Sequence, residues 1–280
     1  MKVMEALRQR ARALLESGAV KMVLGFKKGS SGRSSPAFIF KPEDCDRLII
    51  DDTCSQNLAN YLLKIKNRVK VAVVARGCDS RSIVVLLQEK QIKREDVYIL
   101  GVGCEGVKEK DDELSPSCRH CQYPNPVIYD EMIGAPVARQ ANGKDDKFRQ
   151  LSCDERWREL SADVSRCIRC YACRQVCPNC YCPVCFVDLN MPQVAGKSHS
   201  VSDNMVFHIG RAWHMAGRCV ECGACHRACP MGIDLMRFNR EVARIVRERF
   251  GFVAGLNPDE RPALASFRPD DPQEFFFQGG

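Results

Sequence analysis

Two copies of one cysteine pattern, Cys167-x2-Cys170-x2-Cys173-x3-Cys177-Pro178 and Cys219-x2-Cys222-x2-Cys225-x3-Cys229-Pro230, stand 52 residues apart in a chain of 280. Spacing of this kind is how a polypeptide wraps two 4Fe-4S clusters: three thiolates of a run grip one cubane and the fourth reaches across to the other. The two runs must therefore lie side by side. Crossed ligation predicts one cluster on Cys167, Cys170, Cys173 and Cys229, and a second on Cys219, Cys222, Cys225 and Cys177. Pro178 and Pro230 stop the local helical turn after the fourth ligand. Soft sulfur donors match iron in a tetrahedral sulfur field.

Zinc is the first competitor, but zinc knuckles usually pair two short CxxC or Cys/His units rather than repeat a proline-ended quartet. A disulfide scaffold is the second, since the cysteines number 18. Against it, the chain is long enough to bury a core without staples, and its start, MKVMEALRQRARALLESGAV, lacks the apolar stretch of a signal peptide. No run approaches membrane-spanning length. A reducing cytoplasm, suited to an anaerobic cell, is the expected location.

The formal charge is +7, yet Lys and Arg are spread among 35 acidic residues instead of forming a block, which excludes a nucleic-acid footprint. Each cubane with four thiolates brings roughly two negative charges, so two lower +7 to about +3 and four to about −1. Arg166, Arg169, Arg174, Arg218 and Arg227, which crowd the runs, are the candidates for balancing the clusters; plain solvation of helix turns is the alternative.

The sequence divides near residue 145. Residues 1–145 read as an α/β domain with a small parallel sheet, 146–256 as a mainly helical dicluster ferredoxin domain, and 257–280 as a tail. In the first part, RLII (47–50), VKVAVVA (69–75) and VYILGV (97–102) read as strands. A helix capped by Thr53 and running to about Lys66 joins the first two, and one capped by Asp79 or Ser80 joins the second and third. Parallel strands put Cys54, Cys78 and Cys104 on one sheet edge, where open α/β sheets place ligands. The loop KEKDDELSPS can fold Cys118 and Cys121 back over that edge, so Cys78, Cys104, Cys118 and Cys121 are candidates for a third cluster. Gly77, Gly101, Gly103 and Gly106 would allow the backbone to approach it closely. Cys45 and Cys54 read as small buried hydrophobes. GFKKGSSGRSSP (25–36) lacks the P-loop order and reads as a mobile surface loop.

After the linker ANGKDDKFRQ, Cys153, Cys180, Cys182 and Cys185 make a fourth set, for a cluster or for zinc. MPQVAGKSHS reads as a loop, then residues 202–217 as a helix with Phe207, Ala212, Trp213 and Met215 on its apolar side. The 52-residue gap suggests a helical ferredoxin architecture like that of succinate dehydrogenase iron–sulfur subunits. His199, His208, His214 and His226 read as hydrogen-bonded or exposed helix residues, and 235–250 as a final helix packed on the cluster core. The terminal EFFFQGG is apolar enough to need a docking site.

At VAVVARGCDSRSIVVLLQEKQIKREDVYILGVGCEGV and CRHCQYPNPVIYDEMIGAPV the sequence resembles the beta subunits of deazaflavin-reducing hydrogenases and formate dehydrogenases over roughly residues 20–135. That resemblance implies a cluster on Cys78, Cys104, Cys118 and Cys121 beside a flavin, FAD. RCIRCYACRQVCPNCYC and RCVECGACHRACPMGIDL are similar to the dicluster ferredoxin parts of heterodisulfide-reductase-linked subunits. The chain departs from the first family in passing directly from the CxxC pair to its ferredoxin part, and no GxGxxG is present. The reading is an iron–sulfur electron-transfer subunit with two to four 4Fe-4S clusters and no catalytic residues of its own. Its partners would be flavoprotein, hydrogenase, formate dehydrogenase or heterodisulfide reductase subunits. The alternative is a flavin-containing subunit that reduces a deazaflavin, nicotinamide or quinone.

Overall fold

The computed structural model describes residues 2–65, 69–109, 112–139, 141, 147–265 and 269. Helix α1 (Lys2–Glu16) leads into β1 (Met22–Lys28), β2 (Ser34–Ile39) and the short β3 (Leu48–Ile49); α2 (Ala59–Leu62), β4 (Val71–Ala75), α3 (Gly77–Gln88), β5 (Val97–Val102), α4 (Pro116–Arg119) and β6 (Glu131–Ile133) complete the first half. The second half is helical: α5 (Lys147–Gln150), α6 (Cys153–Ser165), α7 (Ala172–Gln175), α8 (Val201–His214), α9 (Ala224–Arg227) and α10 (Leu235–Phe250). Among the described residues no helix is long and apolar enough to cross a membrane.

The sheet has six strands in the order β2-β1-β4-β5-β6, with β3 also on β1. It is mixed, which corrects the expected parallel sheet: β1, β4, β5 and β6 run parallel, while β2 and β3 pair antiparallel with β1. The expected first parallel strand, RLII, is the two-residue β3, and the parallel neighbour of β4 is instead β1. Residues 25–36 are not a loop but most of a hairpin. Its polar residues gather at the turn, where the Gly29 amide meets the Arg33 carbonyl at 2.7 Å, and its inward face is the buried run Met22–Phe26. β4 is buried throughout, as a central strand covered on both faces must be. Helix α1 places Leu7, Ala11 and Leu14 on the sheet at three- and four-residue spacing. Cys45 and Cys54 are fully buried in the same core.

Helix α2 is a single turn well short of the expected span from Thr53, whose far end at residue 66 lies outside the described residues. Helix α3 starts earlier than expected, at Gly77, because Asp79 acts from inside its first turn: its carboxylate takes both the Arg76 amide at 3.0 Å and the Arg76 Nε at 2.7 Å. Nearly every residue of α3 is buried, since the sheet covers one side and the second half covers the other. Val85 packs with Val220, Val246, Phe252 and Ala254, and the buried Arg81 donates to the Ala254 carbonyl at 2.8 Å and the Val220 carbonyl at 3.2 Å.

In the second half α6 and α10 pack on α8, and α7 lies beside α9. Its small core mixes Val187, Phe207, Ile233 and Leu235 with Cys173 and Cys225. Helix α8 confirms the expected helix, with one correction: Trp213 is 68% exposed while Phe207, Ala212 and Met215 are buried. The expected final helix is α10. Half of the linker (142–146) and the EFFFQGG end lie outside the described residues.

Candidate functional site

The second half contains two cavities of about 320 Å³ each. One is lined by Cys167, Cys170, Cys173 and Cys229, and the other by Cys219, Cys222, Cys225 and Cys177. Both groupings match the crossed pairing expected from spacing alone. The two runs bend alike: Arg169 and Tyr171 in the first, and Glu221 and Gly223 at the same places in the second, all have left-handed backbone with φ between +53° and +72°. That bend turns amides toward sulfur, and the Arg169 N–H donates to the Cys167 Sγ at 3.4 Å. Amides of Glu221 and Ala224 serve Cys219 and Cys222 in the same way. Such N–H···S bonds favour thiolate and tune a cluster's potential. Gly223 is required for a further reason: a Cβ there would overlap the Ser117 hydroxyl of the first half.

The third set also comes together. Cys78 sits in the first turn of α3, Cys104 follows β5, and Cys118 and Cys121 flank the end of α4. All four line a larger cleft of about 1330 Å³. The Lys108–Leu114 bridge and the Ser115 amide on the Val107 carbonyl at 2.8 Å fold the CxxC pair back over the sheet edge. Cys118 Sγ accepts from the Val107 amide at 3.3 Å, and Arg139 donates to the Cys118 carbonyl. The glycines expected to admit a ligand make room mainly for protein: a Cβ on Gly77 would overlap the Tyr123 carbonyl. Cys219 and Cys222 of the second set line this cleft too, so one pair of cysteines forms the wall between two sites.

The fourth set is less assembled. Cys180 counts Cys185 and Cys182 among the thiols around it, whereas Cys153 is exposed at the start of α6, its Sγ taking a 3.5 Å bond from Arg156. Among the described residues no three His, Cys, Asp or Glu groups stand close enough to share a single metal ion.

Burial dominates the electrostatics. It pushes the Cys173 thiol up to about 11, and raises Cys78, Cys177, Cys219 and Cys222 as well. Of the five arginines expected to balance clusters, three have carboxylate partners: Arg166 with Asp163, Arg174 with Asp188 and Arg218 with Glu89. Arg169 is buried on the Asp203 carbonyl and the Tyr171 hydroxyl, and Arg227 binds Ser117 and the Cys222 carbonyl. A further cation among the thiols is Arg211, which no motif marks. It is 5% exposed, lines the second cavity, and donates to the Cys173 carbonyl at 3.1 Å. His208 lines the first cavity and departs from the expected exposed or hydrogen-bonded state, since its buried Nε2 has no hydrogen-bond partner; burial, then the charges of Arg211 and Arg169, push it down to about 4. Arg211 Nε is likewise buried without a partner. Both residues were detectable in sequence, because Asn204, Phe207, His208 and Arg211 recur at helical spacing along one face of α8. His226 Nδ1 lies 3.4 Å from an Asp234 carboxylate oxygen.

No family model matches the chain. It is 32% identical to the F420-dependent formate dehydrogenase subunit beta of Methanocaldococcus jannaschii over 347 aligned residues, covering 87% of this chain and 89% of that protein. It is 24% identical to the F420-dependent formate dehydrogenase 1 subunit beta of Methanococcus maripaludis, covering 91% and 92%. Both alignments are longer than the chain itself, so these relatives carry segments with no counterpart here. The chain belongs to the F420-dependent formate dehydrogenase beta-subunit family and is an electron-transfer subunit of an oxidoreductase.

Proposed function

We propose that the chain carries electrons through 4Fe-4S clusters held by three cysteine sets: Cys167, Cys170, Cys173 and Cys229; Cys219, Cys222, Cys225 and Cys177; and Cys78, Cys104, Cys118 and Cys121. The observation that carries this reading is the way each set rings its own cavity, with Cys219 and Cys222 bordering two of them. Thiols that surround a space suit a cluster body; a single zinc ion needs ligands converged at about 2.3 Å. The buried Nε of Arg211, a donor without a partner in the cavity wall, suits an anionic sulfur-rich occupant. When bound, each cluster supplies a one-electron carrier.

The residues order the sites. Cys222 is among the groups facing Cys78, Cys225 among those facing Cys173, and Cys180 among those facing Cys177. The second set therefore adjoins all the others, and is the junction of the relay. Cys180, Cys182 and Cys185, with Cys153, are the fourth candidates. The redox neighbours we propose are a formate-oxidising partner subunit on one side and deazaflavin F420 on the other, within a cytoplasmic complex related to hydrogenase, formate dehydrogenase or heterodisulfide reductase assemblies. Iron and sulfide counting on anaerobic protein tests this directly: three clusters require about twelve irons per chain and four require about sixteen. Colourless, iron-free protein from an iron-replete, oxygen-free preparation would refute it.

A second reading is favoured by the size of the third cleft, which far exceeds the two ferredoxin-type cavities and is lined by Arg76, Arg81, Arg139, Arg227, Arg240 and Arg247. That much cationic wall suits a phosphate-bearing group beside the cluster, and FAD is the candidate. Acid extraction and flavin quantitation decide it: one flavin per chain supports the reading, and none removes it.

A further inference from the structure

Arg211 is a cation that touches both ferredoxin-type sites. Its side chain lines the second cavity, and its guanidinium donates at 3.1 Å to the carbonyl of Cys173, which lines the first. It is 5% exposed, and its Nε finds no hydrogen-bond partner. Burying a guanidinium is costly unless a negative group compensates it. The groups facing Arg211 are Cys177, Cys225, Cys173 and Cys180. As free thiols these bring no charge to set against the guanidinium. Cluster ligation requires thiolates. The buried charge is thus balanced only when the cavities are filled, whereas Arg166, Arg174 and Arg218 are already neutralised by carboxylates.

We propose that Arg211 is a positioning residue for electron transfer, whose fixed charge between the two ferredoxin-type sites raises the reduction potentials of both clusters. The inference rests on the reading of those sites as cluster sites. Reduction adds one electron and one negative charge to a site, and reoxidation passes that electron on; the guanidinium keeps its protons throughout, since arginine is not deprotonated in proteins. A permanent cation nearby favours the more negative, reduced state. Because the side chain lines the second cavity and reaches the first only through a carbonyl, the second set, the junction of the relay, feels the larger effect. Electrons would otherwise be held back at the site that all the others adjoin.

The test compares the anaerobically purified full chain with Arg211→Met, Arg211→Gln and Arg211→Lys by iron counting and by redox titration followed with paramagnetic resonance. For Met and Gln, both ferredoxin-type midpoints are expected to fall. At fixed potential the second set's reduced-to-oxidised ratio should drop about tenfold, which is about 59 mV for a one-electron couple. The Lys variant should stay near the wild type, and the third cluster should move least. A neutral variant that keeps its iron and its midpoints overturns the proposal, as does a Lys variant that falls as far as the neutral ones. If neither neutral variant holds iron in the second set while Lys does, the charge requirement stands. If Lys loses it too, Arg211 is purely structural and the proposal fails. Absence of iron from the wild type would instead sink the cluster reading itself.

Discussion

Single side chains carry much of the architecture's cost. The Arg76–Asp79 pair is almost wholly buried, and Asp79 also accepts from the Leu58 amide at 2.8 Å, so one carboxylate holds α3, its preceding residue and the 58–62 turn together. Removing one member of such a pair strands the other's charge. Asp79→Ala is therefore expected to destabilise the chain by about 3–5 kcal/mol, measurable by urea unfolding. At the crossed ligands the expectation is a pairing. Cys229→Ser should abolish the same paramagnetic signal as Cys167→Ser, although their neighbours in sequence belong to different runs. Loss of different signals would show that each run holds its own cluster.

At the level of elements, α8 has a demanding task, since it presents Asn204, Phe207, His208 and Arg211 to the cluster region from one face. Its start is secured by Ser200, whose hydroxyl accepts from the Asp203 amide at 3.2 Å. Ser200→Ala is expected to cost about 1 kcal/mol of local stability, read as roughly fivefold faster hydrogen exchange in the first turn of α8. Helix α3 meets a tighter constraint at its first residue. A methyl group at Gly77 would overlap the Tyr123 carbonyl and lie 2.8 Å from the Asn125 carbonyl, neither of which can move aside as a flexible side chain could. Gly77→Ala should cost about four irons from the third set while the ferredoxin-type signals persist, as iron counting and resonance spectra would register.

Across the whole molecule, the two halves are tied by polar contacts as well as by apolar packing. Glu89 at the end of α3 binds Arg218 at 2.7 Å and the Tyr181 hydroxyl at 2.6 Å, beside the fourth cysteine set. Arg81 reaches from α3 to the Ala254 and Val220 carbonyls, and lies over the Tyr123 ring, 4.4 Å from its centroid. Arg81→Met keeps the length but removes these donors. Amides of residues 252–255 are expected to exchange faster in that variant, and the third cleft, which Ala254 and Val220 help to line, should lose definition. Unchanged exchange there would mean that packing of Val85 against Phe252 suffices to hold residues 252–255 without the Arg81 donors.

How much of this could be read without coordinates depends on the range of the forces involved. The cysteine spacings announced which thiols line the two small cavities together, because the bend within a run is a local property of a few residues. Periodicity likewise announced β4, β5, α8 and α10, whose faces repeat over many positions. It failed at β1 and β2, where polar turn residues masked a buried apolar run, and it gave the strand at β3 but not its antiparallel pairing with β1, which no period records. What tertiary structure alone decided was which groups meet: Cys222 as part of two cavities, and Arg211 buried with the thiols of Cys177, Cys225, Cys173 and Cys180 facing it. Burial and charge compensation act through space between segments far apart in the chain, so no local pattern records them.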